Sequence, residues 1–453
     1  MSHPPAPYGA LPSARQQAWQ EMKMYAFFHF TVNTFTGREW GDGTESPDVF
    51  APSELDCEQW CRTIAEAGFG GAVLTAKHHD GFCLWPSKFT DHSVRSSKWR
   101  NGSGDVVREF VDAARKYGLK IGFYLSPWDR HESTYGTGDA YNDFYCAQMK
   151  ELLTNYGGDD VFIIWFDGAC GEGPNGKVQQ YDFDRANAII REYAPNAVIW
   201  GGAAGQDIRW CGNEAGFAGA DNYATAGEFP IPDGDYAPLQ HGQRDGVNWR
   251  PAEVDVSIRP GWFWHEEENE KVHSAAKLLD IYYTSVGRGS CLNLNLPPDR
   301  RGLLHETDIR RLLEFRKRLD QIHAYDLCRG ARAVSVAERD RTFGANMLID
   351  GNPETFWAPA DGTSDCIAEV HFEREVELDV IELAEYTPLG ERVDRYAVDY
   401  LCGGEWLLLT EGTAISFRRE IRTERVTTAG LRLRILEARA CPCISRFSAW
   451  KRA

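Results

Sequence analysis

The chain has 453 residues, 43% of them hydrophobic, and a formal charge of -18. That length suits two or three domains of about 150 residues each, unless one is a large barrel, and the apolar content excludes a disordered chain. The negative charge excludes a nucleic-acid or anionic-membrane partner, since both need clustered Lys and Arg.

The first residues, MSHPPAPYGALPSARQQAW, lack the apolar run of a secretory leader. No stretch is long enough to span a bilayer. The expectation is a cytoplasmic chain whose twelve cysteines stay reduced. Cys57 and Cys61 lie on a predicted helix, Cys441 and Cys443 on a predicted strand. Neither pair has the C-x-x-C spacing of a zinc site, so all four read as ordinary thiols.

In chain order, YAFFHFTVNTF reads as a strand. SELDCEQWCRTIAEAG reads as a helix with a Ser-x-x-Asp start and a glycine stop. GGAVLTAKHHDGF is a short buried strand, DVVREFVDAARKYG a helix ending at Gly118, and LKIGFYLSPW a strand. FYCAQMKELLTNYG (helix), VFIIWFDG (strand), FDRANAIIREYAP (helix) and NAVIWGG (strand) continue the alternation. EKVHSAAKLLDIYYTSVG (helix) and CLNLNLPP (strand) close it. Such alternation predicts a parallel sheet covered by helices, and seven or eight strands in about 300 residues favour a closed (β/α)8 barrel of the TIM kind.

After the helix ETDIRRLLEFRKRLDQIHAY the texture changes. AEVHFEREVELDVIELAEY, RYAVDYLCGGEWLLLTEG and TAGLRLRILEA are short β runs without intervening helices. The fold class is therefore α/β, with a barrel over residues 1–328 and an all-β sandwich over 329–453.

Catalytic groups of a barrel gather at the C-terminal strand ends. Those ends carry His29, Asn33, Glu39 and Trp40, then Lys77, His78, His79 and Asp80, then Tyr124, Ser126 and Trp128, then Trp165 and Asp167. Asp and Gly also end strands for folding reasons alone, Gly168 supplying a positive φ. Yet aromatic faces, histidines and carboxylates recurring at successive strand ends are what a sugar pocket requires. The 15 Trp, 18 Tyr and 23 Phe fit that reading. Adjacent histidines on a strand face opposite ways, so His78 and His79 read as hydroxyl contacts and no metal is expected. Glycoside hydrolysis needs two carboxyl groups. If Asp167 is one, DIRWCGNEAGFAG offers Glu214, with an ordinary surface acid as the alternative left open. Burial beside Asp167 would raise its pKa toward that of a working acid. Glu172 is the next candidate.

FFHFTVNTF, EWGDGTE, AKHHDGFCLWPS, GFYLSPWDRH, IIWFDGA and VGRGSCLNLNLPPDRRG together resemble the retaining α-L-fucosidases of glycoside hydrolase family 29, over roughly residues 20 to 320. The resemblance implies double displacement with Asp167, the Asp of WFDG, as nucleophile. It implies fucose contacts from His29, Glu39, Trp40, His78, His79, Tyr124 and Trp165, and an aromatic wall from Trp262. DIRWCGNEAG resembles the branch that prefers α-1,3 and α-1,4 linkages in Lewis-type glycans, whose acid/base would be Glu214. Cys211 stands where many relatives have Val. The tail, AERDRTFGANMLIDGNPETFWAP, resembles discoidin-like (factor 5/8 C-type) modules, which often bind carbohydrate. Some hold a structural Ca2+, for which Asp350, Asn352 and Thr355 stand ready. The implied activity needs no cofactor, and the implied partner is a fucosylated oligosaccharide or glycoconjugate, with no nucleic acid and no membrane. The rivals are a broader α-L-fucosidase acting on α-1,2 or aryl fucosides, and a non-catalytic fucose-binding protein.

Overall fold

The structure is a computed structural model and describes residues 3–202, 206–227 and 236–452. Ten strands and nine α-helices precede the tail among these residues: β1 (Met24–Phe28), β2 (Gly71–Lys77), β3 (Lys120–Leu125), β4 (Val161–Trp165), β5 (Val198–Trp200), β6 (Arg209–Trp210), β7 (Thr225–Ala226), β8 (Asn248–Trp249), β9 (Ala252–Ser257) and β10 (Cys291–Asn295). The helices are α1 (Ala14–Met22), α2 (Val32–Thr36), α3 (Cys57–Glu66), α4 (Val106–Lys116), α5 (Asp139–Tyr156), α6 (Phe183–Tyr193), α7 (Ala237–His241), α8 (Ala275–Thr284) and α9 (Glu306–Ile322).

Eight strands form one parallel sheet in the order β5-β4-β3-β2-β1-β10-β9-β6. Among the described residues a single parallel bridge, Trp200 to Ile208, brings β5 to the segment entering β6 and nearly closes the ring. β7 and β8 pair outside it.

The alternation of strand residues sorts the two cores. Met24, Ala26 and Phe28 of β1 join the shell beneath the helices. Tyr25 and Phe27 point into the barrel with Val73, Tyr124, Ile163 and Trp165. The helices form where their apolar faces meet this shell: α4 buries Val106, Val107, Phe110, Val111, Ala113 and Ala114. Asp105 caps α4 by accepting from the Arg108 amide at 2.9 Å, and Gly118 stands just past its end at φ 69.

Three elements differ from the sequence reading. YAFFHFTVNTF is a strand only to Phe28, because Thr31 accepts from the Asn33 amide and starts α2. The cap of α3 is Asp56, not Ser53, since it is the Asp56 carboxylate that accepts from the Gln59 amide. Cys441 and Cys443 precede the final strand, which begins at Ile444.

The tail contains β11 (Arg332–Val334), β12 (Cys366–Glu385), β13 (Val393–Cys402), β14 (Glu405–Thr413), β15 (Arg419–Ala438) and β16 (Ile444–Trp450). They form one six-stranded antiparallel sheet. β12 and β15 are each 20 residues long rather than short runs. One half of β12 pairs with β11, the other with β16. Apolar residues from both halves share one core, including Val370, Ile381, Leu431 and Phe447. The tail docks on the barrel through Val380 and Trp450, which join the barrel's apolar shell, and through polar contacts: the Ala224 amide donates to Glu391, Arg422 pairs with Asp280 at 2.6 Å, and the Arg419 Nη1 donates to the Ala220 carbonyl at 2.7 Å. All twelve cysteines are free thiols. Among the described residues no helix is long and apolar enough to cross a membrane.

Candidate active site

The parallel strands deliver their ends to one cavity of about 290 Å³. His29, Glu39, Trp40, His78 and His79 line it, together with Trp165, Asp167, Glu214 and Trp262. Tyr124 stands behind Asp167 and reaches it through its hydroxyl. Three lining residues escaped the sequence reading: Phe27, Ala169 and Asp255. Glu172 is exposed and lies off the cavity wall, its carbonyl accepting from Trp128 Nε1 at 3.1 Å.

Asp167 is where β4 stops. The left-handed residue is Asp167 itself, at φ 74, and not the glycine after it. A non-glycine residue held there stores strain, and such residues cluster at functional sites. The conformation curls the carboxylate onto its own turn. Oδ1 accepts from the amides of Gly168 at 2.6 Å and Ala169 at 2.9 Å, while Oδ2 accepts from the Tyr124 hydroxyl at 2.8 Å. Burial pushes the carboxyl above the ordinary Asp value, and the Ala169 amide, Tyr124 and the Gly168 amide oppose that push. A Cβ on Gly168 would meet nothing within 4 Å. Its smallness therefore serves open space beside the carboxylate rather than packing.

Three histidines surround this carboxylate. Burial holds His29 and His79 near pKa 3, and His78 well below its ordinary value, so all are neutral at pH 7. Their hydrogen-bond partners set which nitrogen carries the proton. Asn295 donates through Nδ2 to Ser257 Oγ and the Trp262 carbonyl, so its Oδ1 accepts from His29 Nδ1 at 2.9 Å. Ser126 donates to the Trp128 carbonyl and accepts from His79 Nδ1 at 2.7 Å. His29 and His79 thus keep a lone pair on Nε2 for a substrate hydroxyl, and that of His79 is 3.6 Å from Asp167 Oδ2. Asn33 Nδ2 lies 3.4 Å from His78 Nδ1, which leaves the His78 Nε2 proton to donate. His78, His79 and Asp167 also bring ligand-type atoms within 4.8 Å of one another, the one metal-capable group among the described residues.

Lys77 and Asp80, also at the end of β2, serve the scaffold. Lys77 Nζ donates to Asp129 and Gln148, both at 2.9 Å. Asp80 accepts from the Phe82 amide and the Thr31 hydroxyl. Asp350, Asn352 and Thr355 in the tail bond to one another, Asp350 accepting from the Asn352 amide at 2.8 Å and the Thr355 hydroxyl at 2.7 Å.

Glu214 is exposed, contrary to the expected burial. Its Oε2 accepts from Trp262 Nε1 at 3.1 Å. The loop that carries it is braced: Asn213 accepts from the Ala215 amide and donates to the Phe217 carbonyl, and the buried Cys211 thiol donates to the Asn213 carbonyl at 3.2 Å. Trp262 is itself placed by Glu39, which accepts from the amides of Trp262 (2.8 Å) and Phe263 (3.3 Å) and from His265 Nε2 (2.7 Å). Both Glu39 oxygens are therefore engaged with the protein.

Asp255, on β9, is the buried carboxyl of the pocket. It is 3% exposed and accepts from Trp210 Nε1 at 2.7 Å. Burial first, and then the charge of Glu214, push it up to about 8. Its sequence signal was the inward alternation Glu253, Asp255, Ser257 in AEVDVS, a strand of which every residue is buried. Next to it Trp165 stacks on Trp200, rings 3.8 Å apart, and donates from Nε1 to Glu253 at 2.9 Å. A second cavity, about 340 Å³, adjoins the first through Asp167 and Ala169 and is walled by Tyr181, Phe183, Trp200 and Trp210.

The site is thus a pocket of neutral hydrogen-bonding groups and aromatic faces around one firmly held carboxylate, with three further carboxyls, Glu39, Glu214 and Asp255, in its wall. That arrangement suits a single sugar ring. The comparisons agree. A chain from Arabidopsis thaliana, Alpha-L-fucosidase 1, is 42% identical over 449 residues, covering 97% of this chain and 87% of that one. The crystal structure of SpGH29 superposes with a TM-score of 0.94 at 36% identity, covering 99% of this chain and all of that one. A Ruminococcus gnavus GH29 fucosidase in complex with fucose gives 0.93 at 31% identity, covering 100% and 97%. The α-L-fucosidase family model matches residues 7–321, and the chain belongs to that family, the α-L-fucosidases of glycoside hydrolase family 29.

Proposed function

We propose that this protein is an exo-acting, retaining α-L-fucosidase that releases terminal α-1,3/1,4-linked L-fucose from branched, Lewis-type glycans. The observation that carries the reading is the pairing of Asp167 and Glu214 in one cavity lined by neutral histidines. Oδ1 of Asp167 is held by two backbone amides. Among the described residues Oδ2 has only Tyr124 as donor, and is the oxygen left to attack the anomeric carbon. Glu214 protonates the departing oxygen, and the fucosyl–Asp167 ester forms as the glycosidic bond breaks. Glu214 then takes a proton from water, whose oxygen displaces Asp167 and restores the anomeric configuration. His29 and His79 accept hydrogen bonds from fucose hydroxyls, His78 donates one, and Trp262 faces the apolar side of the ring. The neighbouring aromatic cavity receives the rest of the glycan, which supports a branched substrate. The tail is read as a discoidin-like module, with Asp350, Asn352 and Thr355 its candidate Ca2+ ligands.

Released fucose from a panel of 1,2-, 1,3-, 1,4- and 1,6-linked oligosaccharides tests the linkage. Faster release from 2′-fucosyllactose than from Lewis-type trisaccharides overturns it. Asp167→Ala lowers kcat on an aryl fucoside by about a thousandfold or more, and azide partly restores turnover as the β-fucosyl azide. Near-normal turnover without azide removes Asp167 from the role and, with it, the retaining mechanism. Failure of the wild type to turn over any aryl fucoside leaves a fucose-binding protein. The reaction needs no metal: EDTA leaves kcat unchanged, and loss of turnover restored by Zn2+ in a folded protein assigns the His78, His79 and Asp167 group to an ion.

A further inference from the structure

The tail holds a pair of thiols that fucose hydrolysis does not use. Cys441 and Cys443 flank Pro442 just ahead of β16. The sequence reads them as ordinary thiols, but the neighbours of Cys441 are not ordinary. Arg392 Nη1 lies 3.7 Å from its sulfur and Arg339 Nη2 lies 3.8 Å from it. Asp361 Oδ1 is 3.8 Å away. The Cys443 thiol is within hydrogen-bond reach of the Cys441 carbonyl, at 3.7 Å, and of the Cys441 sulfur.

The charges around that sulfur leave one anion missing. Arg339 pairs with Asp361. Arg392 is 1% exposed and, among the described residues, pairs with no carboxylate. Its Nη1 donates to the Cys441 carbonyl at 3.0 Å, and its Nη2 to the carbonyls of Ala6 at 2.6 Å and Leu389 at 2.9 Å. Glu385 gives its oxygens to the amides of Arg392, Val393 and Ser416. Burial first, and then Glu391, push it up to about 8, so it is mostly uncharged at pH 7. A buried guanidinium costs free energy unless a negative group faces it, and the group that faces Arg392 is the Cys441 sulfur. The hydrogen bond from Cys443 first, and then the Arg392 and Arg339 guanidiniums, hold Cys441 below the ordinary thiol value against the opposing push of burial. The same hydrogen bond and burial push Cys443 up.

A thiolate next to a thiol able to resolve it is the arrangement of a redox dithiol. We propose that Cys441 and Cys443 form a redox-active dithiol, which a hydroperoxide closes to a disulfide. The Cys441 sulfur attacks one peroxide oxygen. An S–O bond forms as the O–O bond breaks, and the departing hydroxide takes a proton and leaves as water. The Cys443 sulfur then attacks the sulfenic sulfur of Cys441. The S–S bond forms, the S–O bond breaks, and the hydroxyl leaves as a second water with the Cys443 proton. Each sulfur gives up one electron and the peroxide takes both. Cys441 is only 4% exposed, yet its sulfur lies against Asp361, whose side chain is 75% exposed. A peroxide is little larger than water, so a small opening beside Asp361 admits it. Neither cysteine lines the active-site cavity, and the proposal stands whether or not the proposed linkage preference does.

Timed treatment of the reduced full chain with hydrogen peroxide, quenched with N-ethylmaleimide and digested with trypsin, tests it by the mass of the segment 440–446, which holds both cysteines. The expected result is a segment that loses two hydrogens and both maleimide additions, about tenfold faster than the exposed Cys170 and Cys402 are oxidised. Dithiothreitol restores both additions. Cys443→Ser stops at the sulfenic acid, which dimedone traps on Cys441. Arg339→Gln and Arg392→Gln each slow the oxidation about tenfold, and should one misfold by circular dichroism, the other carries the comparison. Oxidation of Cys170 or Cys402 ahead of the pair, a bridge from Cys441 to Cys366 instead, or an unchanged rate in a folded arginine variant overturns the proposal.

Discussion

Asp167 and Glu214 differ in how firmly the protein holds them, and that difference fits the two roles proposed for them. The carboxylate fixed by two amides and a phenol cannot swing, as a nucleophile requires. The exposed one, tied among the described residues only to Trp262 Nε1, can meet leaving groups of varied shape. Glu214→Ala therefore lowers turnover of natural glycans about a hundredfold to ten-thousandfold but spares the first step on aryl fucosides with acidic leaving groups. Azide then gives the α-fucosyl azide, and equal loss on both substrate classes assigns the role to another acid. Asp255 is that other acid's nearest candidate and, on the present geometry, its electrostatic partner. Burial and the charge of Glu214 hold the Asp255 proton to about pH 8. Asp255→Asn keeps an acceptor for Trp210 but ends that repulsion. A titration near pH 8 is accordingly lost from the alkaline limb of kcat/KM on oligosaccharides, and superimposable profiles count against a part for Asp255. Asp167 was legible in the sequence because an apolar strand ran straight into it. Asp255 was not, because a carboxylate alternating with valines reads by its polarity as the solvent face of a strand, whereas here the inward face is the polar one.

Among elements, the strands with continuous apolar runs were readable to within a few residues: VFIIW is β4, and GAVLTAK is β2. NAVIWGG likewise contains β5, whereas β6, with two residues, carries too little pattern to mark a barrel wall. α2 was hidden because its start rests on one hydroxyl, that of Thr31, rather than on apolar periodicity. The segment from Gly261 to His265 shows how elements share the work of the site. Sequence resemblance assigned Glu39 to fucose, yet its carboxylate gathers two amides and an imidazole and so positions Trp262, which in turn positions Glu214. Glu39→Gln retains the shape but offers only one acceptor oxygen to three donors. It raises KM for fucosides about tenfold and also lowers kcat, because the aromatic wall and the acid move together. A change in KM alone, with the Glu214-dependent step intact, separates direct sugar binding from this positioning.

At the scale of the whole molecule, the buried ionisable groups set a stability profile. Burial raises Asp80 to about 7, Asp255 and Glu385 to about 8, and Glu253 well above its ordinary value. Their contribution to stability is complete below the unfolded values near 4 and falls as pH rises through 7 to 8. Burial lowers His29 and His79 to about 3, His92 to about 4 and His78 further. Their contribution is complete above about 6.5 and falls as pH drops toward 4. Between those limits the opposing slopes, each about 1.4 kcal/mol per pH unit per group, offset one another. Above pH 6.5 only the carboxyl slope remains. The Tm is therefore nearly level from about pH 4.5 to 6.5 and declines toward pH 9, and a Tm that rises from 6.5 to 8.5 contradicts this set of shifts. The barrel's incomplete closure has a consequence of its own. Where β1 and β2 are laced by three register pairs, β5 meets the next wall at the single Trp200–Ile208 bridge, supplemented by the Asp207 carboxylate accepting from the Ile199 amide at 2.8 Å. A hoop fastened by one stitch opens there first. Local breathing, read as early deuterium uptake at residues 198–200 and 208–210, begins a few residues from both Asp167 and Glu214. Heat then silences the enzyme before it melts it.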